Sequence, residues 1–393
     1  MQPLQGVRII EATANAAGPF ATGMLADQGA EVIRIETLAG GDPSRHVGGV
    51  RGGVTSYTAY MNRNKKSIAI DIKNPAAKAP LFELIKSADV FVQNARPGAL
   101  ERAGFGFEAL HDINPQLIYA SISGFGMTGP AVHQRVYDAV IQAVSGFAYA
   151  EGDQGVPALV KSIVTDKVTA MTAAQAISSA LFARERGAIG GHHIEISMLD
   201  SSLAFLWPDI FWNHGFVGED GVTPKPSVAD FYRVVQTRDG FVTILVVGDE
   251  DFDGACRGLE IPHVRSDPRF QTLEKRFTHY NEMVLEIEKA ALNFVTDELV
   301  KRMDEGGVPC AKVNDLDEVF TDPRVTHRQS IVEYDHPAGG RLRQARPPAI
   351  FDGEPCPVRS PSPRLGEHTE EVLRAAGCDD AMIAKLRAAS AIA

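Results

Sequence analysis

The feature that most limits what this chain can fold into is the alternation of short β-rich runs with helical stretches over its first 125 residues. Val7–Glu11, Glu31–Glu36, Ser67–Ile72, Asp89–Gln93 and Leu117–Ile122 are each five or six residues long and rich in Val, Ile, Phe or Tyr. Strands of this composition are buried on both faces. Helix punctuation lies between them, with Pro19 near the start and Gly29 past the end of one stretch and Asn74-Pro75 opening another. The pattern predicts an α/β fold built on a doubly wound, mainly parallel, Rossmann-like sheet.

Further along, Asp166–Arg186 reads as a long Ala-rich helix and His193–Ile196 as a strand, completing a large domain over 1–200. Residues 201–228 read as a linker, Gly/Pro-punctuated from Gly215 to Pro226. A smaller α+β domain is expected over 229–325, with a hairpin turning at Asp239-Gly240 and helices near Asp251–Leu259, His279–Phe294 and Asp297–Glu305. Arg341–Pro363, rich in Pro and Arg, is expected to lie extended on the surface before two closing helices, Glu367–Ala376 and Asp379–Ser390.

Charge and cysteine usage exclude several classes of function. Lys and Arg number 39 against 50 Asp and Glu, a net charge of −11, so a general attraction to nucleic acid is not expected and an anionic ligand needs a local cationic patch. The four cysteines form no CxxC pair, which argues against a zinc site or a disulfide framework. His192-His193 point to opposite faces of a strand, there is no HExxH, and no metal is expected. No GxSxG elbow is present. With no signal-like start and no membrane-length apolar run, a soluble cytoplasmic protein is expected.

Three features are candidates for chemistry. Gly124-Phe-Gly126-Met-Thr-Gly129 is a literal GxGxxG, but it follows the fifth strand and runs into Pro130 instead of a helix, so a dinucleotide site is disfavoured. Cationic residues gather on loops near strand ends: Asn62-Arg-Asn-Lys-Lys66, Asp71-Ile-Lys73, Asn94-Ala-Arg96 with Arg102, and Arg135 beside Tyr137 and Asp138. Together they suit a phosphorylated ligand. Asp166, at the start of the Ala-rich helix, reads from the residues alone as a helix cap. The same placement would also suit a nucleophilic carboxylate with backbone donors close by.

The motifs Gly18-Pro19, Ala30-Glu-Val-Ile-Arg-Ile-Glu36, Asn64-Lys-Lys-Ser-Ile-Ala-Ile-Asp71, Asn94-Ala-Arg-Pro-Gly98 and Gly124–Pro130 resemble, in order and spacing, those of the family III CoA-transferases, the CaiB/BaiF family. That family also includes formyl-CoA transferase and α-methylacyl-CoA racemase. The resemblance implies that Asp166 is a nucleophile moving CoA from an acyl-CoA to a carboxylic acid, through a mixed anhydride and an aspartyl-CoA thioester. It implies CoA contacts at Ile70, Asp71, Ile72, Lys73, Asn94, Ala95, Arg96, Arg102, Gln134, Arg135, Val136 and Tyr137, with Ala16 and Ala17 beside the thioester. It further implies a homodimer of interlocked chains, residues 326–393 returning to the large domain, and CoA as substrate with no tightly bound cofactor.

Some positions depart from the family. Tyr137 stands where the racemases carry His, a weaker base at neutral pH that argues for transfer. Ala16 stands where formate-transferring members place Gln, their glycine-rich flap is not reproduced in Gly215–Pro226, and Thr37 stands at one cationic CoA contact. The alternatives are a racemase or epimerase using Asp166 with Asp138 or Asp249 as second acid/base, a CoA-binding protein without turnover, and an NAD-dependent oxidoreductase.

Overall fold

The computed structural model describes residues 1–152, 155–188, 190–218 and 231–393. Six strands form one parallel sheet: β1 (Arg8–Ala12), β2 (Glu31–Glu36), β3 (Lys65–Ala69), β4 (Val90–Gln93), β5 (Ile118–Ser123) and β6 (His193–Ser197). Their order is β3-β2-β1-β4-β5-β6, every neighbouring pair parallel. The order reverses between β1 and β4, and ligands of such sheets bind in the crevice beyond the strands' carboxyl ends at that point.

Strand alternation builds the two faces. Ile9 and Ile10 are neighbours in β1, yet each is buried in a different core. Ile9, Val90, Val92, Ile118 and Ala120 pack with helices α1 (Ala17–Asp27) and the long Val164–Glu185 helix. Ile10, Phe91 and Tyr119 pack with α2 (Pro75–Lys86), where Asn74 caps the first turn and Pro75 follows, and with the two C-terminal helices.

Contacts divide the chain into one unit of Met1–Pro208 with His327–Ala393 and a second of Asp209–Thr326. Residues through Leu206, expected in the linker, are helical (Met198–Leu206). Of the expected Gly/Pro stretch, residues 219–226 lie outside the described residues. Within the second unit the strands Val234–Gln236, Phe241–Ile244 and Cys310–Lys312 form an antiparallel sheet, its first pair turning through Asp239-Gly240. Helices Asp249–Gly258, Tyr280–Ala291 and Thr296–Glu305 pack on it.

Three local expectations need correction. β3 begins two residues earlier than expected and ends at Ala69, and Ile70 makes an antiparallel bridge with Ile392. Arg341–Pro363 is not simply extended surface chain: Gly340–Ala345 pairs with Ile331–His336, and Arg346, Cys356 and Ser362 are buried. The cationic run before β3 is largely structural. Arg63 pairs with Asp27, buried Lys65 pairs with Glu11, and Lys66 pairs with Glu31 and Glu371. Residues that precede a parallel strand lie at the end of the sheet opposite the ligand crevice.

Candidate active site

Loops at the carboxyl ends of β1, β4 and β5, together with the start of the long helix, enclose a cavity of about 260 Å³. Ala16, Ala17, Asn94, Ala95, Arg96, Gln134, Arg135, Val136, Tyr137 and Asp166 all line it. A side chain at Gly124 would meet Val136 Cγ1 at 2.3 Å, so glycine there lets the two ends of the loop after β5 approach each other.

Asp166 is not the cap of its helix. Val164–Glu185, named α4 below, has Ile163 at its N-cap without a side-chain bond, and Asp166 lies in the first turn. The cap comes from α3 (Asp138–Ser145): Asp138 Oδ2 accepts from the Thr165 amide at 2.8 Å, the Thr165 hydroxyl at 2.8 Å and the Asp166 amide at 3.1 Å. Its other oxygen accepts from Gln142 Nε2. Asp138 is buried and fully engaged, a poor arrangement for the second acid/base role considered for it.

Burial pushes the Asp166 carboxyl up to about 7, and the nearby Asp138 charge pushes the same way, while the donated N–H of Ala17 opposes both. Tyr57, on the Ser56–Asn62 helix, feels the same charges. Burial first, then Asp166, Asp42 and Asp138, raise its phenol to about 12, which keeps it a neutral hydroxyl donor. No local sequence pattern marks Tyr57, since its relation to Asp166 is set by the fold.

The other expected contacts are placed apart. Lys73 and Arg102 line a neighbouring cavity of about 580 Å³ together with Ile72 and Lys78. Ile70 is buried in the core and Asp71 donates its amide to Ala391, so neither side chain faces the cavity containing Asp166. Asn94 is spent on structure: it accepts from the Ala14 amide at 2.8 Å and donates to the Ala14 carbonyl at 2.7 Å. Asp249 belongs to the second unit, where it pairs with Arg276, and does not line this cavity. Arg96 and Arg135 are exposed in the cavity wall, and neither has a carboxylate partner among the described residues. Among the described residues no group of three or more His, Cys, Asp or Glu could hold a metal, and no helix is long and apolar enough to cross a membrane.

A Rossmann-type sheet with a half-buried carboxylate of raised pKa and arginines without carboxylate partners at its switch point describes an α/β enzyme acting on an anionic ligand. The model of CoA-transferase family III matches residues 4–369, and the chain belongs to that family. It is 34% identical over 380 residues to the succinyl-CoA:glutarate CoA-transferase of Mus musculus, covering 95% of this chain and 86% of the relative. It is likewise 34% identical to the succinate–glutarate CoA-transferase of Agrobacterium fabrum, covering 94% and 95%. The crystal structure of a CaiB/BaiF family protein from Brucella suis superposes with a TM-score of 0.82 at 29% identity, covering 95% of this chain and 99% of that one.

Proposed function

We propose that this protein is an acyl-CoA:carboxylate CoA-transferase that works by covalent catalysis on Asp166. The observation that carries the reading is the Asp166 carboxyl itself, half-buried in the wall of the switch-point cavity beside Ala17 and raised to about 7. A carboxylate of raised basicity is a better nucleophile, and near neutral pH a useful fraction is ionised.

In the first step Asp166 attacks the acyl carbon of the thioester, the C–S bond breaks, and CoA thiolate leaves a mixed anhydride. The thiolate then attacks the aspartyl carbonyl, the anhydride C–O bond breaks, and the original acid departs as its carboxylate. An acceptor carboxylate reverses the two steps on the aspartyl-CoA thioester, leaving as the new acyl-CoA and freeing Asp166. The Ala17 N–H, which favours the ionised carboxylate, would also stabilise charge developing on its oxygen. Arg96 and Arg135 supply unpaired positive charge for the CoA phosphates, with Lys73 and Arg102 in the adjoining cavity. Relatives named for succinyl-CoA and glutarate support a dicarboxylic acyl group or acceptor. The reading includes a homodimer, as the family resemblance implies, acting in the cytoplasm without nucleic acid or membrane.

Proton exchange at the acyl α-carbon is the weaker reading. It needs a second acid/base, and Asp138 is held by its own donors while Tyr137 is a weak base. The deciding experiment is intact-protein mass spectrometry after incubation with a panel of acyl-CoAs, followed by hydroxylamine or borohydride trapping. An adduct on Asp166 that is absent in Asp166→Asn supports transfer and names a donor. Solvent deuterium entering the acyl α-carbon, with no adduct, replaces transfer by proton exchange.

A further inference from the structure

Beneath the loop that carries Ala16 and Ala17 lies a set of charges removed from water. Glu11, in the central strand β1, accepts from Lys65 Nζ at 2.9 Å, Thr22 Oγ1 at 2.7 Å and Thr13 Oγ1 at 2.6 Å. The Arg34 guanidinium lies 3.7 Å from Glu11 and 3.9 Å from Glu36 and pairs with Asn62 and Asp42. Glu36 in turn accepts from the Asp42 amide at 3.1 Å and Ser67 Oγ at 2.6 Å. Glu11, Arg34, Glu36, Asp42 and Lys65 are all at most 4% exposed. Such a network is costly to form and becomes rigid once satisfied.

Asp42 is where this network reaches the site. Besides Arg34 and the Ser44 amide, its oxygens accept from the Asn15 amide at 3.2 and 3.1 Å. Asn15 has φ +66°, a left-handed conformation that costs a non-glycine residue energy and persists only where surroundings hold it. On the other side of the same peptide, Asn94 grips both the N–H and the carbonyl of Ala14. Two residues on, α1 begins at Ala17 with no side-chain cap, and α1 packs against α4. Ala17, two residues beyond the pinned Asn15, lines the same cavity as Asp166, and its N–H favours the Asp166 carboxylate.

Resting on the transferase reading above, we propose that Asp42 is a positioning residue for Asp166: through the Asn15 amide it transmits the rigidity of the buried ion network to the start of α1 and so fixes the backbone donor that meets the nucleophile. Asp42 touches no substrate in this scheme. Its effect on Asp166 runs through geometry, and that makes it separable from a charge effect. The groups acting on Asp166 are Asp138 from α3 and the Ala17 amide from α1, with Arg96 and Arg135 on the cavity wall, and the Asp166 charge in turn acts on Tyr57 of the Ser56–Asn62 helix.

The test is Asp42→Asn, read by carboxyl-carbon NMR titration of Asp166, by amide hydrogen exchange and by steady-state kinetics. Removing a negative charge alone would lower the Asp166 midpoint. Loosening Ala17 removes a donor that favours the carboxylate and raises it. The proposal expects a higher midpoint, roughly tenfold faster exchange at residues 15–17 with β4 amides still protected, and kcat down about 10–100-fold while KM for acyl-CoA stays within about threefold. An unchanged or lowered midpoint with protected amides overturns it. Should Asp42→Asn fail to fold, Asp42→Glu keeps the charge while moving the carboxylate off the Asn15 amide, and the same exchange and titration readouts decide. If wild-type protein gives no Asp166 adduct with any acyl-CoA, the transferase reading fails, yet titration and exchange still judge the positioning role.

Discussion

Asp138 caps the helix that bears Asp166 across 28 residues of sequence, its Oδ2 accepting from the Asp166 amide at 3.1 Å and the Thr165 amide at 2.8 Å. One carboxylate therefore does two opposed things to the other. It anchors the turn that holds Asp166 in the cavity, and its charge discourages Asp166 from ionising.

That opposition is testable at Asp138 itself. Asp138→Asn keeps an acceptor but cannot satisfy both sides, because Gln142 already uses its own carbonyl on the Val160 amide and can only donate. Chemical denaturation is expected to show a loss of about 1–3 kcal/mol. With the charge gone, the Asp166 midpoint falls below about 7, and transfer persists at neutral pH. Complete loss of transfer in a folded variant would restore Asp138 to the chemistry.

The pH profile should report the nucleophile directly. With Asp166 raised to about 7, kcat/KM climbs roughly tenfold per pH unit below that value and levels off above it. A profile flat from pH 5 to 9 would show that a different, already ionised group limits the reaction.

Stability carries the same signature with the reverse sign. The Asp166 carboxyl is harder to ionise folded than unfolded, so its ionisation costs folding free energy that is absent below pH 4, grows as pH rises toward about 7, and is constant above. Asp166→Asn is therefore expected to be more stable than wild type by on the order of 2–4 kcal/mol at pH 8, with little difference at pH 4, in denaturant titrations at both values. The same variant loses transfer by roughly 10³-fold or more.

Arg96→Gln and Arg135→Gln each remove a cavity-wall cation that has no carboxylate partner among the described residues. Steady-state kinetics should show KM for acyl-CoA rising about tenfold with kcat changed less than about threefold, and a weaker dependence of KM on salt. Equal losses in kcat would instead place these arginines on the reacting centre.

How far the sequence foretold these relationships depends on the range of the interactions. Strands β1, β2, β4 and β5 lie within one residue of their expected limits, because buried parallel strands announce themselves by unbroken apolar runs. β3 was harder: Lys65 and Lys66 look like loop residues until Glu11 and Glu31 are seen beside them. Asp166 looks like a cap because the residue that caps its helix lies on another element. Arg96 and Arg135 were legible as ligand-facing, whereas Arg63 was not distinguishable from them until Asp27 was seen to hold it. Tyr57 carries no motif that sequence spacing could reveal, and Asp42-Pro43 announces only the cap of a short turn. Both matter through tertiary neighbours.

The first unit is interrupted, drawing on Met1–Pro208 and His327–Ala393, while the second is continuous. One face of the large sheet is covered by Val372, Leu373, Ile383 and Leu386, and Ile392 bridges Ile70 at the edge of that sheet. A nascent chain that has extruded its first two hundred residues thus has α2 over part of this face but leaves bare the part whose cover, the two C-terminal helices, has yet to be translated. Asp209–Thr326 can close on itself meanwhile. Biogenesis then runs inside out, the inserted module maturing before its host, and the interval between them is when chaperone protection matters most.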